Sequence, residues 1–177
     1  MEAIQRGLDR VIDAAMIVAE VAITLMMLHI TIEVVSRWLF LHSFDATNEI
    51  VAFYYMACLT YLSLAYVTRA DGHIAAEIFT DRMGKRPREI LEGVIALALG
   101  GYMLVFTWQT AGEALTMTRV GEIQQSATIY LLKWPTRWYL PIGGFLMALA
   151  ALVIAVGKLA GKPPAKRPAD LNITAQE

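Results

Sequence analysis

The chain has 177 residues, 57% of them hydrophobic and 18% charged, with a formal net charge of −1. Soluble domains run at roughly 45–50% apolar, so the excess argues against a water-soluble core, and the near-neutral balance gives no electrostatic case for nucleic acid. A single cysteine, Cys58, excludes a disulfide framework, a CxxC redox pair and a thiolate metal site.

The apolar residues fall into four long stretches, at 11–40, 50–67, 90–111 and 140–156. About 20 mostly apolar helical residues cross a bilayer, and each stretch reaches that length or nearly so once its aromatic ends are counted. The expected fold is an all-α integral membrane protein of four transmembrane helices forming one domain over 1–162. The proline-rich tail at 163–177 carries no burying pattern and is expected to be disordered and cytoplasmic.

Arg6 and Arg10 precede the first stretch, as they would in a secretory signal. Signal h-regions run about 7–15 residues, whereas this one continues past Met27 to Trp38, so it reads as a retained helix. Asp13, Glu20, His29 and Glu33 lie within it ahead of Arg37. At about 100° per residue, Asp13 and Glu20 share one face while His29 and Glu33 share nearly the opposite one. Charged groups inside a membrane usually face protein or water, so this helix is expected to have protein on two sides. Asp13 and Glu33 are expected near the interfaces, Glu33 with Arg37 one turn away as a partner; Glu20 lies well inside.

Glu49 and Arg69 bracket the second helix and serve either to anchor its ends or to snorkel to the interface. Beyond it, Ile74, Ile78 and Phe79 share one helical face, which predicts a short interfacial amphipathic helix at 74–83 between helices two and three. Arg82, Lys85, Arg86 and Arg88 would sit among anionic headgroups, each worth about 1 kcal/mol there; the competing reading is a plain orientation signal. Pro87 suits a first helical turn. The third helix is expected to continue through 113–118 until Gly121 breaks it. Residues 127–134 are apolar enough to dip into the outer interface. Pro141 starts the fourth helix, whose Gly143, Gly144, Ala148, Ala151 and Ala155 form a small-residue face suited to close packing in lipid.

Cytoplasmic segments are enriched in Lys and Arg. Arg6 and Arg10, then Arg69, Arg82, Lys85, Arg86 and Arg88, then Lys158, Lys162, Lys166 and Arg167 give eleven basic residues on one side. Arg37, Arg119, Lys133 and Arg137 give four on the other. Both termini and the second loop are therefore expected in the cytoplasm. Asp45, Asn48, Glu122, Gln124 and Gln125 would then be outward polar residues, open to a docking protein or merely solvated.

Several short motifs agree with a known pattern. Arg37-Trp38-Leu39-Phe40 closes the first helix, Glu49 opens the second, and Arg69, His73, Ile74 and Glu77 follow it. Trp138-Tyr139-Leu140-Pro141-Ile142-Gly143 opens the fourth. Over about residues 10–157 the chain resembles the small, DctQ-like membrane subunit of the tripartite ATP-independent periplasmic (TRAP) transporters, departing at Ser63, where the family commonly has glycine.

The resemblance implies two protein partners, a large transmembrane subunit that carries substrate and sodium by an elevator movement and a periplasmic substrate-binding protein; membrane phospholipid is the further partner expected from the basic second loop. It implies a fixed scaffold in the bacterial inner membrane, importing an organic acid or similar solute without a substrate site, metal or cofactor in this chain. Sodium would bind the large subunit. Glu20, Glu33, Arg37, Glu49, Arg69, His73 and Glu77 are then interface or structural candidates. Two other classes remain open: a self-contained proton-coupled exporter with Glu20 as its carboxylate, and a membrane assembly factor. Enzyme chemistry has no nucleophile–base pair or phosphate loop to support it.

Overall fold

The structure, a computed structural model, describes residues 2–41, 46–69, 84–126 and 129–161. Four helices are long and apolar enough to cross a membrane. They are α1 (Glu2–Phe40), α2 (Thr47–Arg69), α3 (Lys85–Val120) and α4 (Tyr139–Leu159). The expected interfacial helix at 74–83 lies outside the described residues, as do His73, Glu77, Arg82 and Asp45.

The helices do not close into a square bundle. α4 packs extensively on α3 and on α2, α2 packs on α1, and α1 scarcely approaches α3. The order in space is an open row, α1–α2–α4–α3, with α1 and α3 at its edges. The row follows from where small side chains are placed. Gly143, Gly144, Ala148, Ala151 and Ala155 of α4 are all buried, so the small-residue face lies at the centre as expected. Without a hydrophobic drive between helices in lipid, close van der Waals approach decides which pairs form. The Gly-to-Ser departure at position 63 does not spoil this packing: Ser63 turns its hydroxyl onto the Leu59 carbonyl of its own helix, 2.7 Å away, and Gly143 supplies the close approach to α2.

α1 joins the row along one stripe: Leu8, Ile12, Ala15, Ala19, Ala22, Met26, His29, Glu33 and Ser36 are buried or half-buried in steps of four and three. That seven-residue repeat keeps one face against a nearly parallel or antiparallel neighbour. Elsewhere α1 and α3 expose large apolar side chains, among them Ile17, Val105 and Trp108, a surface that only lipid or another membrane protein can cover.

Two local features depart from the sequence reading. The sequence reading gives no strands near residues 127–134, yet Ile123–Gln125 (β1) and Tyr130–Leu132 (β2) pair as an antiparallel hairpin, with Ile123 opposite Leu132 and Gln125 opposite Tyr130. And α4 is entered through a 3₁₀ turn, Trp134–Trp138, that starts before Pro141; Pro135 supplies its fixed φ and Pro141 falls in the first turn of α4, where no amide donor is needed.

Candidate functional site

The polar side chains gather at the two ends of the row. At the end carrying the hairpin, α3 stops in a Schellman turn: Gly121 takes φ 69°, its N–H donates to the Thr118 carbonyl at 3.3 Å, and the Glu122 N–H donates to the Met117 carbonyl at 3.0 Å. Glycine is needed there because a left-handed residue carries no Cβ penalty only when it has none. The turn fixes Glu122, which then organises everything beyond it. Its carbonyl accepts from the N–H groups of Lys133 (2.9 Å) and Trp134 (3.3 Å). Its carboxylate accepts both arms of Arg137, at 2.9 and 2.8 Å, with the Lys133 ammonium 3.8 Å away. This two-pronged guanidinium bond, assisted by the charge of Arg137 and Lys133, holds the Glu122 carboxyl below the usual carboxylate range despite partial burial. The Trp138 indole N–H donates to the Thr118 hydroxyl at 3.1 Å, tying the 3₁₀ turn to α3.

Three contacts fasten the hairpin to α2. Val51–Met56 of that helix is wound as a π-helix, a local widening often found at functional positions, and it directs consecutive aromatics to different partners. Phe53 lies under the Lys133 ammonium, 4.5 Å from ring centre. The Tyr54 hydroxyl donates to the Leu132 carbonyl. Tyr55 meets His29 of α1 edge to face, 5.9 Å between centroids. Just before the π segment, Glu49 accepts the Ser126 hydroxyl at 3.0 Å. Beside this junction opens a cleft of about 430 Å³ between α2 and α3, with Phe53, Tyr61, Glu113, Lys133 and Arg137 in its wall.

At the opposite end the ties are ionic. Arg69, at the end of α2, donates to Asp9 of α1 at 2.9 Å. Glu92 of α3 accepts from Arg88 one turn before it and from Lys158 at the end of α4, both at 2.8 Å.

The expected residues therefore divide. Glu49 and Arg69 anchor the two ends of α2. Glu33 is buried and bonded to Arg37 one turn on, the partner expected for it. Glu20 is exposed on α1, pointing away from the row. Arg86 is exposed, whereas Arg88 is engaged by Glu92. Among the polar residues expected on the outer side, Asn48 and Gln125 are exposed. Glu122 is consumed inside the hairpin junction, and Gln124 accepts from Lys133 at 3.3 Å. The face the hairpin displays is instead Ile123, Tyr130 and Leu132. Strand alternation, with every second side chain on one face, is the signal that separates these sets, and it is hidden until the strands are known. Glu92 with Lys158, and Asp9, were missed because their partners are remote in sequence.

No curated protein matches the chain. Residues 26–161, well over half of its length, match the family described as "Tripartite ATP-independent periplasmic transporters, DctQ component". That family is a transporter component and not an enzyme family. Four apolar helices with the match across most of them place the chain in the membrane: it belongs to the DctQ components of the tripartite ATP-independent periplasmic transporters, as a small multi-pass inner-membrane subunit.

Proposed function

We propose that this subunit is a fixed scaffold. It widens the static part of a sodium-driven uptake system, holds the large elevator-type subunit, and helps to seat the periplasmic substrate-binding protein for import of an organic acid or similar solute. The observation that carries the reading is the open row of helices. Its centre is filled by small residues of α4 packed on α2 and α3, and among the described residues the acidic side chains, lysines and arginines lie toward the two ends or on outward faces while His29 packs on Tyr55, so these residues enclose no binding site at mid-depth of the kind broken helices build. Broad apolar surfaces on α1 and α3 are left for neighbours.

In this reading the hairpin end faces outward and both chain termini lie in the cytoplasm, with Arg82, Lys85, Arg86 and Arg88 near anionic headgroups. Asn48 and Gln125, with the apolar hairpin face, are offered to the binding protein, while His73 and Glu77 help to tie the second loop. Sodium and substrate bind the large subunit.

The test is reconstitution. Liposomes containing this chain and its co-encoded large subunit should take up solute only with the binding protein and a sodium gradient, and this chain alone should carry none. A stable homodimer transporting by itself would overturn the scaffold. Cysteines placed singly at Gln125 and Arg86 report orientation, because the native Cys58 is buried: a membrane-impermeant thiol reagent should reach position 125 from outside and position 86 only from inside.

A further inference from the structure

We infer that the outward stripe of α1 centred on Glu20 receives a transmembrane helix of the large subunit, and that this helix presents a hydrogen-bond donor (an arginine, lysine or histidine, or a side-chain amide) to the Glu20 carboxyl. The inference rests on the scaffold reading and specifies which surface meets the partner. Residues 1–25, Glu20 among them, lie outside the stretch matched to the family.

The depth of Glu20 is the first argument. At ~1.5 Å per residue it stands ~15 Å along the axis from Arg10 and ~25 Å from Arg37, within a hydrocarbon layer ~30 Å thick. Its side chain is exposed and makes no polar contact with the described residues. A carboxyl group left against acyl chains at that depth is unfavourable, and such residues almost always face protein or a water-filled cavity.

The second argument is the company it keeps. At ~100° per residue, Asp13, Glu20, Thr24, Thr31 and Trp38 fall within ~40° of one another, about 140–180° from the centre of the stripe that faces α2. The Thr24 hydroxyl donates to the Glu20 carbonyl at 3.0 Å and the Thr31 hydroxyl to the Met27 carbonyl at 2.7 Å. With their protons spent on their own backbone, both hydroxyls turn acceptor lone pairs outward beside the carboxyl. Around Glu20 the stripe thus presents acceptors, and its complement is a donor-bearing helix.

The third argument is contrast. The other edge of the row, α3, exposes Val94, Ile95, Leu97, Tyr102 and Val105 over the same depth without an acidic or basic side chain, a surface suited to lipid. α1 is the edge whose chemistry asks for protein.

The experiment uses the co-expressed complex. A photoreactive residue at Ile17 or Met27 should form adducts with the large subunit, and one at Val105 should not. Glu20→Gln keeps an acceptor and should retain the large subunit through purification. Glu20→Leu should weaken its recovery about three- to thirty-fold, the range expected for one interhelical hydrogen bond, while the unfolding temperature of the isolated chain stays the same or rises, because position 20 faces outward. Adducts from Val105 but neither α1 position, adducts joining two copies of this chain, or undiminished recovery with Leu would overturn the inference. Failure of the wild-type chain to retain any large subunit would bring down the scaffold reading itself.

Discussion

Gly143 of α4 lies directly against the backbone of Tyr61 in α2, so closely that a Cβ at position 143 would overlap the Tyr61 carbonyl. Backbone cannot step aside as a side chain can, so Gly143→Ala should push α4 off α2 and cost about 1–3 kcal/mol or more. At Gly100 the added Cβ would meet the Leu152 side chain at 2.9 Å, which can rotate, so Gly100→Ala should cost less. Gly101 has open space around it, and alanine there should stabilise by about 0.5–1 kcal/mol through helix propensity. Thermal unfolding of the three variants in detergent checks the order.

Much of this architecture is written in the chain because lipid leaves few options. Backbone groups must be satisfied within each span, so four apolar stretches read directly as four helices, and Gly121 as the end of the third. The small-residue face of α4 was legible because it repeats every few residues. The seven-residue stripe of α1 is equally present in the sequence, but Ala15, Ala19 and Ala22 look like ordinary apolar filling until their neighbour is known. The hairpin was not legible. Its three-residue strands hold no alternation long enough to recognise, and its stability comes from Tyr54, Phe53 and Glu49, more than seventy residues earlier in the chain. For the same reason Glu122 looked like a free outward contact: nothing local shows that Arg137 folds back onto it.

Glu122 should make the hairpin end pH-sensitive. Arg137 and Lys133 hold its carboxyl below the ordinary range. A carboxylate whose pKa is depressed on folding contributes stability that is fully present above its unfolded value, about 4.3, and is lost as pH falls through the lower folded value. Wild-type protein should therefore lose protection of the amides at 123–132 as pH falls below about 4. Glu122→Gln should begin lower at neutral pH, by about 1 kcal/mol given the partial exposure of Arg137, and should show less dependence across that window. Hydrogen exchange followed by mass spectrometry separates the two; parallel pH profiles would refute the assignment.

The Arg69–Asp9 pair should govern how firmly α1 is held. Arg69 is largely covered, and its Nη1 has no hydrogen-bond partner among the described residues, so removing Asp9 strands a poorly solvated guanidinium. Asp9→Ala should loosen the start of α1 at a cost of about 1–3 kcal/mol. Adding Arg69→Met should recover part of that loss by removing the stranded charge. Exchange at residues 5–15, compared with residues 145–155 of α4 as an internal reference, reads the effect; equal loosening of both segments would mean global unfolding rather than release of α1.

The Glu92–Lys158 pair offers a sharper version of the same logic, because both side chains are mostly covered and join the two most extensively packed helices. Their side-chain exposures are 17% and 11%, low enough that neither charge is well hydrated alone. Glu92→Leu should remove the carboxylate that Lys158 and Arg88 share and destabilise by about 3 kcal/mol. Lys158→Leu should be milder, since Arg88 still neutralises Glu92 at 2.8 Å. Replacing both by Leu should restore most of the stability lost in Glu92→Leu, because an apolar pair of similar volume needs no desolvated charge and Leu suits the boundary of a membrane helix. A double-mutant cycle on thermal unfolding in detergent measures this directly. If the two single losses simply add, Glu92 and Lys158 are not coupled across the α3–α4 contact, and the end of the row away from the hairpin is held by Gly93 packing on Leu159 instead.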